Sequence, residues 1–158
     1  METKNIVILA SGTGTTLQAI INAINSKVLN AKIIGIVSDK EDSGALKIAV
    51  THDLPSACLV YDANNQTREQ YDDNLAEYVR EYHPDLIILA GWMRILTNTF
   101  IKQFKNIINL HPALPNTFPG GTAIKDALEA YQKNKIQNTG AMVHHVVKEV
   151  DSGEVIND

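Results

Sequence analysis

Ile6-Val7-Ile8-Leu9-Ala10-Ser11-Gly12-Thr13-Gly14-Thr15-Thr16-Leu17 decides how the rest of the chain is read. Its first five positions carry no polar side chain, as in a strand covered on both faces of a parallel sheet. Ser11-Gly12 cuts the run off. Leu17, Ile20, Ile21, Ile24 and Val28 then recur at i, i+3, i+4, i+7 and i+11, the spacing of one helix face. A buried strand passing through a glycine turn into a helix predicts a βα unit.

The same alternation continues outward. Ile33-Ile34-Gly35-Ile36-Val37, Leu86-Ile87-Ile88-Leu89-Ala90 and Ile107-Ile108-Asn109-Leu110 are further strands apolar on both faces. Tyr71, Leu75, Tyr78, Val79 and Tyr82 mark a helix. Thr67-Arg68-Glu69-Gln70 opens it as a capping box, and His83-Pro84 ends it. A weaker helix is expected near 43–52, a short strand near 57–60 and another helix near 123–133. A last strand near 140–147 follows, its direction undecided. The order β-α-β-α-β-α-β-(short α)-β-α-β predicts an α/β fold, an open doubly wound, mostly parallel sheet with helices on both faces. Ligands of such sheets bind beyond the carboxyl ends of the strands. Here those ends are Ser11 to Thr16, Gly91 to Leu96 and Asn109 to Gly121.

A chain of 158 residues, 44% hydrophobic and 20% charged, suits a single folded domain and excludes disordered and fibrous classes. No apolar run reaches the ~20 residues of a membrane helix, and the first run is too short for a secretory signal. The net charge of −4 and the lack of a basic stripe argue against a nucleic-acid partner. One cysteine, Cys58, cannot pair internally, so a cytoplasmic protein is expected. Cys58 is expected to be a buried thiol rather than a nucleophile.

Several motifs carry chemistry. Gly12 and Gly14 at a helix N-terminus fit a phosphate cradle, and fit equally an ordinary glycine-rich βα turn. Leu17 stands where a dinucleotide fingerprint needs a third glycine, and the P-loop lysine is absent, which disfavours NAD and ATP. In Asn109-Leu110-His111-Pro112, Asn109 and His111 share one face if strand geometry holds to residue 111. Two converging hydrogen-bonding groups at a strand end are what an oxyanion site requires. Asp151, in Val150-Asp151-Ser152-Gly153, suits the acid that orients and charges a histidine; a plain Asp-Ser-Gly turn explains it as well. Gly91-Trp92-Met93-Arg94-Ile95-Leu96 fits a slot for a flat heterocycle or a connection burying its own apolar residues. Arg68 is either a contact for an acidic ligand tail or a solvated arginine. No metal is expected. His144 and His145 are adjacent and point to opposite faces of a strand, and no Cys/His/Glu spacing matches zinc.

Four segments together resemble the phosphoribosylglycinamide formyltransferase family, within the folate-dependent formyltransferases. They are Ile8 to Gly14 with Leu17 to Ile21, Leu89 to Leu96, Ile108 to Leu114, and Val143-His144 with Glu149 to Gly153. The resemblance implies a single formyltransferase domain over 1–158, lacking the family's C-terminal strand and helix. It implies formyl transfer from 10-formyltetrahydrofolate, as co-substrate, to the amine of glycinamide ribonucleotide in purine biosynthesis. It also implies roles. Gly14, Thr15 and Thr16 hold the substrate phosphate. Arg68, Met93, Arg94, Ile95, Leu96 and Asn109 contact the folate. Asn109, His111 and Asp151 are catalytic, and 147–150 form a mobile loop over the pterin. Two alternatives remain at this stage. One is a formyltetrahydrofolate hydrolase, told apart by formate release without the ribonucleotide. The other is a non-catalytic nucleotide-binding module, told apart by folate binding without turnover.

Overall fold

A computed structural model describes residues 2–158. The chain divides into two compact units, one running to Ile107 and the other spanning Ile108–Asp158.

The first unit alternates strand and helix: β1 (Lys4–Leu9), α1 (Thr15–Asn25), β2 (Ala31–Ser38), α2 (Gly44–Thr51), β3 (Ser56–Cys58), α3 (Arg68–Arg80), β4 (Leu86–Leu89) and α4 (Asn98–Ile101). Its strands lie in the order β3-β2-β1-β4, all parallel. β1 is central, with Ile6 opposite Ile33 on one side and Leu86 on the other. Ile6, Ile8 and Ala10 pack with Leu17 and Ile21 of α1 and with Ala45 and Ala49 of α2. Val7 and Leu9 point to the opposite face by alternation and are equally buried. Each such side chain is worth ~1.5–3 kcal/mol of burial, which is why the buried stretch from Ile6 to Leu9 holds no polar residue.

The helix signals hold. Thr67 Oγ1 accepts Gln70 N–H at 3.1 Å while Gln70 Oε1 accepts Thr67 N–H at 2.8 Å, so α3 opens on its capping box. Tyr71, Leu75 and Val79 are buried. His83 takes φ +49° just before Pro84, and the chain leaves the helix there.

Two expectations fail in this unit. Val28 does not belong to the α1 face: it lies past Asn25 and is 83% exposed. Lys27 adopts φ +60° and Val28 N–H closes back on Ala23 O, so the chain has already turned out of the helix. Cys58 is exposed rather than buried. It ends β3, a three-residue edge strand with no neighbour beyond it in the unit.

The second unit holds β5 (Ile107–His111) from Ile108 onward, α5 (Ala123–Gln132), β6 (Met142–His145) and β7 (Val155–Asn157). β6 runs antiparallel to both β5 and β7, which decides the direction the sequence left open. β7 has no sequence signal, because three exposed residues are too few to show alternation. The mostly parallel α/β fold is thus observed, with antiparallel pairing among the C-terminal strands.

Candidate active site

In the second unit β5 keeps strand geometry as far as His111, so Asn109 and His111 emerge on one face. A third group meets them. Asp151 sits in a turn at φ +51° and sends its carboxylate between the two. Asn109 Nδ2 donates to Asp151 Oδ1 at 3.2 Å, and His111 Nδ1 lies 3.3 Å from Oδ2. Gly120 N–H donates to Oδ2 at 2.7 Å. The His111 side chain is 4% exposed and that of Asp151 9%, so the pair is shielded from solvent screening.

A fourth member was not among the expected residues. His144 is buried, and its Nε2 lies 3.2 Å from Asn109 Nδ2 and 3.4 Å from Asp151 Oδ1. Register explains it, because Asn109 stands directly opposite His144 across β5 and β6. His144 Nδ1 bonds His145 O at 2.9 Å. A carbonyl only accepts, so Nδ1 carries the proton, and Nε2 stands beside both the Asn109 amide and the Asp151 carboxylate. His145 points to the other face and is exposed, as expected of neighbours on a strand.

His111 has oxygen acceptors at both ring nitrogens. Nδ1 faces Asp151, and Nε2 is 2.9 Å from the Phe118 carbonyl. A hydrogen bond from each nitrogen at once would need a proton on both, the imidazolium form. In this state every polar hydrogen of the Asn109 amide and the His111 ring has an acceptor within the protein. Phe118 belongs to a proline- and glycine-rich loop. It takes φ +40°, with Gly120 at φ +87°. Left-handed backbone at a residue such as phenylalanine is a strained conformation.

The first unit gathers the other expected residues around the ends of β1 and β4. Gly14 is the N-cap of α1 at φ +82°, with no side-chain cap bond and no acidic residue in the first turn. A side chain at Gly14 would also meet Ile48 Cδ1 at 2.7 Å and the Ala45 backbone at 3.0 Å. Glycine is therefore demanded twice, by φ and by the approach of α2. Thr15 is exposed and Thr16 half-buried. Ser11 ties the two strand ends together: its N–H donates to Gly91 O at 3.0 Å, and its Oγ accepts Met93 N–H at 2.9 Å.

The 93–96 segment splits by alternation. Met93 and Ile95 are exposed while Leu96 is buried. Arg94 lies over the rings of Tyr61 and Tyr71, 3.9 and 4.7 Å from their centroids, a cation–π contact that turns its guanidinium toward protein. Exposed Arg68 donates from Nη2 to Ile95 O at 2.8 Å. The structure thus brings Asn109, His111 and Asp151 together in one unit. Gly14, Thr15, Thr16, Arg68 and Met93 to Leu96 lie in the other. Among the described residues, no group of three or more His, Cys, Asp or Glu side chains is placed to hold a metal ion. Nor is any helix there long and apolar enough to cross a membrane.

Residues 4–158 match the family model described as formyl transferase. A phosphoribosylglycinamide formyltransferase of Dictyostelium discoideum is 47% identical over 98% of this chain and 81% of its own length. That of Saccharomyces cerevisiae is 40% identical, covering 94% of this chain and 78% of its own length. Among solved structures, glycinamide ribonucleotide transformylase 1 of Symbiobacterium toebii aligns with a TM-score of 0.89 at 32% identity. The match covers 98% of this chain and 71% of that one.

Proposed function

The chain belongs to the formyl transferase family, among the phosphoribosylglycinamide formyltransferases, and from that premise we propose how its residues divide the work. It is an enzyme that transfers a formyl group in purine biosynthesis. In our reading the donor is 10-formyltetrahydrofolate and the acceptor is the amine of glycinamide ribonucleotide.

The amine nitrogen adds to the formyl carbon, the C–N10 bond breaks, and N10 leaves with a proton. Negative charge gathers on the formyl oxygen as the amine adds. His111 Nε2–H is the donor for that charge. At rest it is spent on the Phe118 carbonyl, 2.9 Å away, and the formyl oxygen takes that carbonyl's place. Asp151 keeps the ring charged and oriented from the Nδ1 side. The Asn109 amide is the second donor, and His144 sets which way it faces. A preorganised donor at a developing oxyanion is worth ~10²–10³ in rate. One proton must leave the amine and one must reach N10. The Asp151 carboxylate, beside both His111 and Asn109, is the group we assign to relay it. No nucleophilic side chain is used, because the acceptor amine attacks directly.

For the ribonucleotide phosphate, the reading uses the open first turn of α1 with Gly14, Thr15 and Thr16, where backbone N–H groups and the helix dipole favour an anion. For the folate it uses the exposed Met93 and Ile95 side chains and the backbone of 93–96. Arg68, which also donates to Ile95 O, Arg94, Leu96 and Asn109 complete the folate contacts in this reading. Our reading puts the protein in the cytoplasm.

The observation that carries the proposal is the single carboxylate of Asp151 bracketed by Asn109 at 3.2 Å and His111 at 3.3 Å. The test is a spectroscopic transfer assay with 10-formyltetrahydrofolate, run with and without glycinamide ribonucleotide. Folate turnover that requires the ribonucleotide is expected. Formate release at the same rate without it would make water the acceptor and overturn the reading.

A further inference from the structure

α3 buries one acidic residue, Asp72, on a face otherwise made of Tyr71, Leu75, Ala76 and Val79. Its side chain belongs to a residue only 2% exposed. A carboxylate is a costly group to bury, and packing alone would be served better by an apolar residue at this position. Its partner shows what it does. Asp72 Oδ2 accepts the Thr97 backbone N–H, the first amide beyond the Gly91–Leu96 segment.

Two neighbours on α3 grip the same stretch. Arg68, one turn before Asp72, donates to Ile95 O at 2.8 Å, and the Tyr71 ring lies beneath the Arg94 guanidinium. The other end of the segment is pinned by Ser11 at Gly91 and Met93. Between the pins, Met93 and Ile95 stay exposed. Without its far pin, the partly buried Thr97 N–H would lose the acceptor that Asp72 gives it.

We propose that Asp72 is a positioning residue for folate affinity: its carboxylate holds Thr97 N–H and so presets the 93–96 backbone on which the folate is read. This rests on the reading of that segment as the folate contact. Burial raises the Asp72 carboxyl above its ordinary value. The Thr97 hydrogen bond opposes that shift, as do, more weakly, the charges of Arg94 and Arg68. The hydrogen bond therefore works against the burial cost as well as fixing the loop.

The test is steady-state kinetics of Asp72→Ala and Asp72→Asn in the full chain. Asp72→Ala leaves a buried donor unpaired and is expected to raise KM for 10-formyltetrahydrofolate about tenfold. Its kcat and its KM for glycinamide ribonucleotide should stay within about twofold, because neither depends on this amide. Asp72→Asn keeps an acceptor oxygen and should restore most of the folate KM, which a purely structural role would not require. Thr97→Pro removes the donor instead, at a backbone of φ −82° that proline accepts. It should raise the same KM, and adding Asp72→Ala to it should cost little more. Should Asp72→Ala not fold, Asp72→Asn and Thr97→Pro carry the same comparison. Parallel losses in kcat and in both KM values, or an unchanged folate KM, overturn the proposal. A weakened Ile95→Ser beside an unaffected Asp72→Ala overturns it while leaving the folate segment standing. Absence of saturable folate binding by the wild-type chain removes both.

Discussion

Asp151→Asn tests the candidate centre most directly, because it changes the charge and almost nothing of the shape. The carboxylate serves two sides. Oδ1 receives the Asn109 amide, and Oδ2 receives Gly120 N–H and faces His111 Nδ1. An asparagine has one acceptor oxygen, so one side must meet an NH2 group. If the oxygen stays with Gly120, the amide nitrogen confronts Asn109. If it turns, it confronts both Gly120 N–H and the imidazolium. A carboxylate–imidazolium pair at 3.3 Å has a Coulomb attraction of about 5 kcal/mol at an effective dielectric of ~20. Part of that is cancelled by the cost of burying both groups. A loss of about 3–4 kcal/mol in the transition state remains, or ~10²–10³ in kcat. The assay is formyl transfer under saturating ribonucleotide, with kcat and both KM values measured and Tm recorded as a control for folding. Both KM values should move little. His111→Ala added to Asp151→Asn should cost far less than it does in the wild-type chain, since the two act as one unit. A variant that keeps kcat within about threefold of wild type, with an unchanged fold, would refute the oxyanion argument built on the charge of Asp151.

Three other outcomes follow from the structure. Gly153→Ala would drive its Cβ into the His145 carbonyl, the group that holds His144 Nδ1. A drop in stability of ~1–3 kcal/mol should appear in thermal melts together with a fall in kcat, and a silent variant would contradict the packing. Cys58 is exposed, yet its thiol is held above the ordinary value by partial burial and then by Glu41 and Asp39. Alkylation near neutral pH should be slower than for a free thiol and should quicken in Glu41→Gln; equal rates would count against this. The Tyr78 phenol is pushed up to about 12 from 10.0 by burial and then by its hydrogen bond with Tyr82. Its folded value lies above its unfolded one, so its contribution to stability is complete below about pH 10 and is lost as pH rises toward about 12. In alkaline unfolding curves, the stability difference between wild type and Tyr78→Phe should be constant below about pH 10 and shrink across that window.

Much of this protein is written locally. The run Ile6 to Ala10 could only be a strand covered on both faces, because alternation leaves no side for water. Thr67 and Gln70 announce the start of α3, because a capping box needs only residues three apart. Asn109 and His111 share a face for the same reason: a two-residue period is a property of one strand. Other features depend on which strand lies beside which. His144 joins the centre because β6 runs antiparallel to β5 and brings it opposite Asn109. With the direction undecided, the sequence shows only two adjacent histidines pointing to opposite faces of a strand. Asp151 reads locally as a plain turn residue or as an acid beside a histidine, and only the chain path puts its carboxylate next to both Asn109 and His111. Asp72 carries no local signal that sets it apart from other acidic residues, and its burial against Thr97 appears only when α3 and the Gly91–Leu96 segment are packed. Cys58 was misjudged because an edge strand and a central one have the same local pattern. Periodicity comes from backbone geometry within a few residues, so sequence alone determined the elements and their order as far as β6. Register, direction and burial come from contacts between residues tens of positions apart, so only the tertiary structure could decide which polar groups meet.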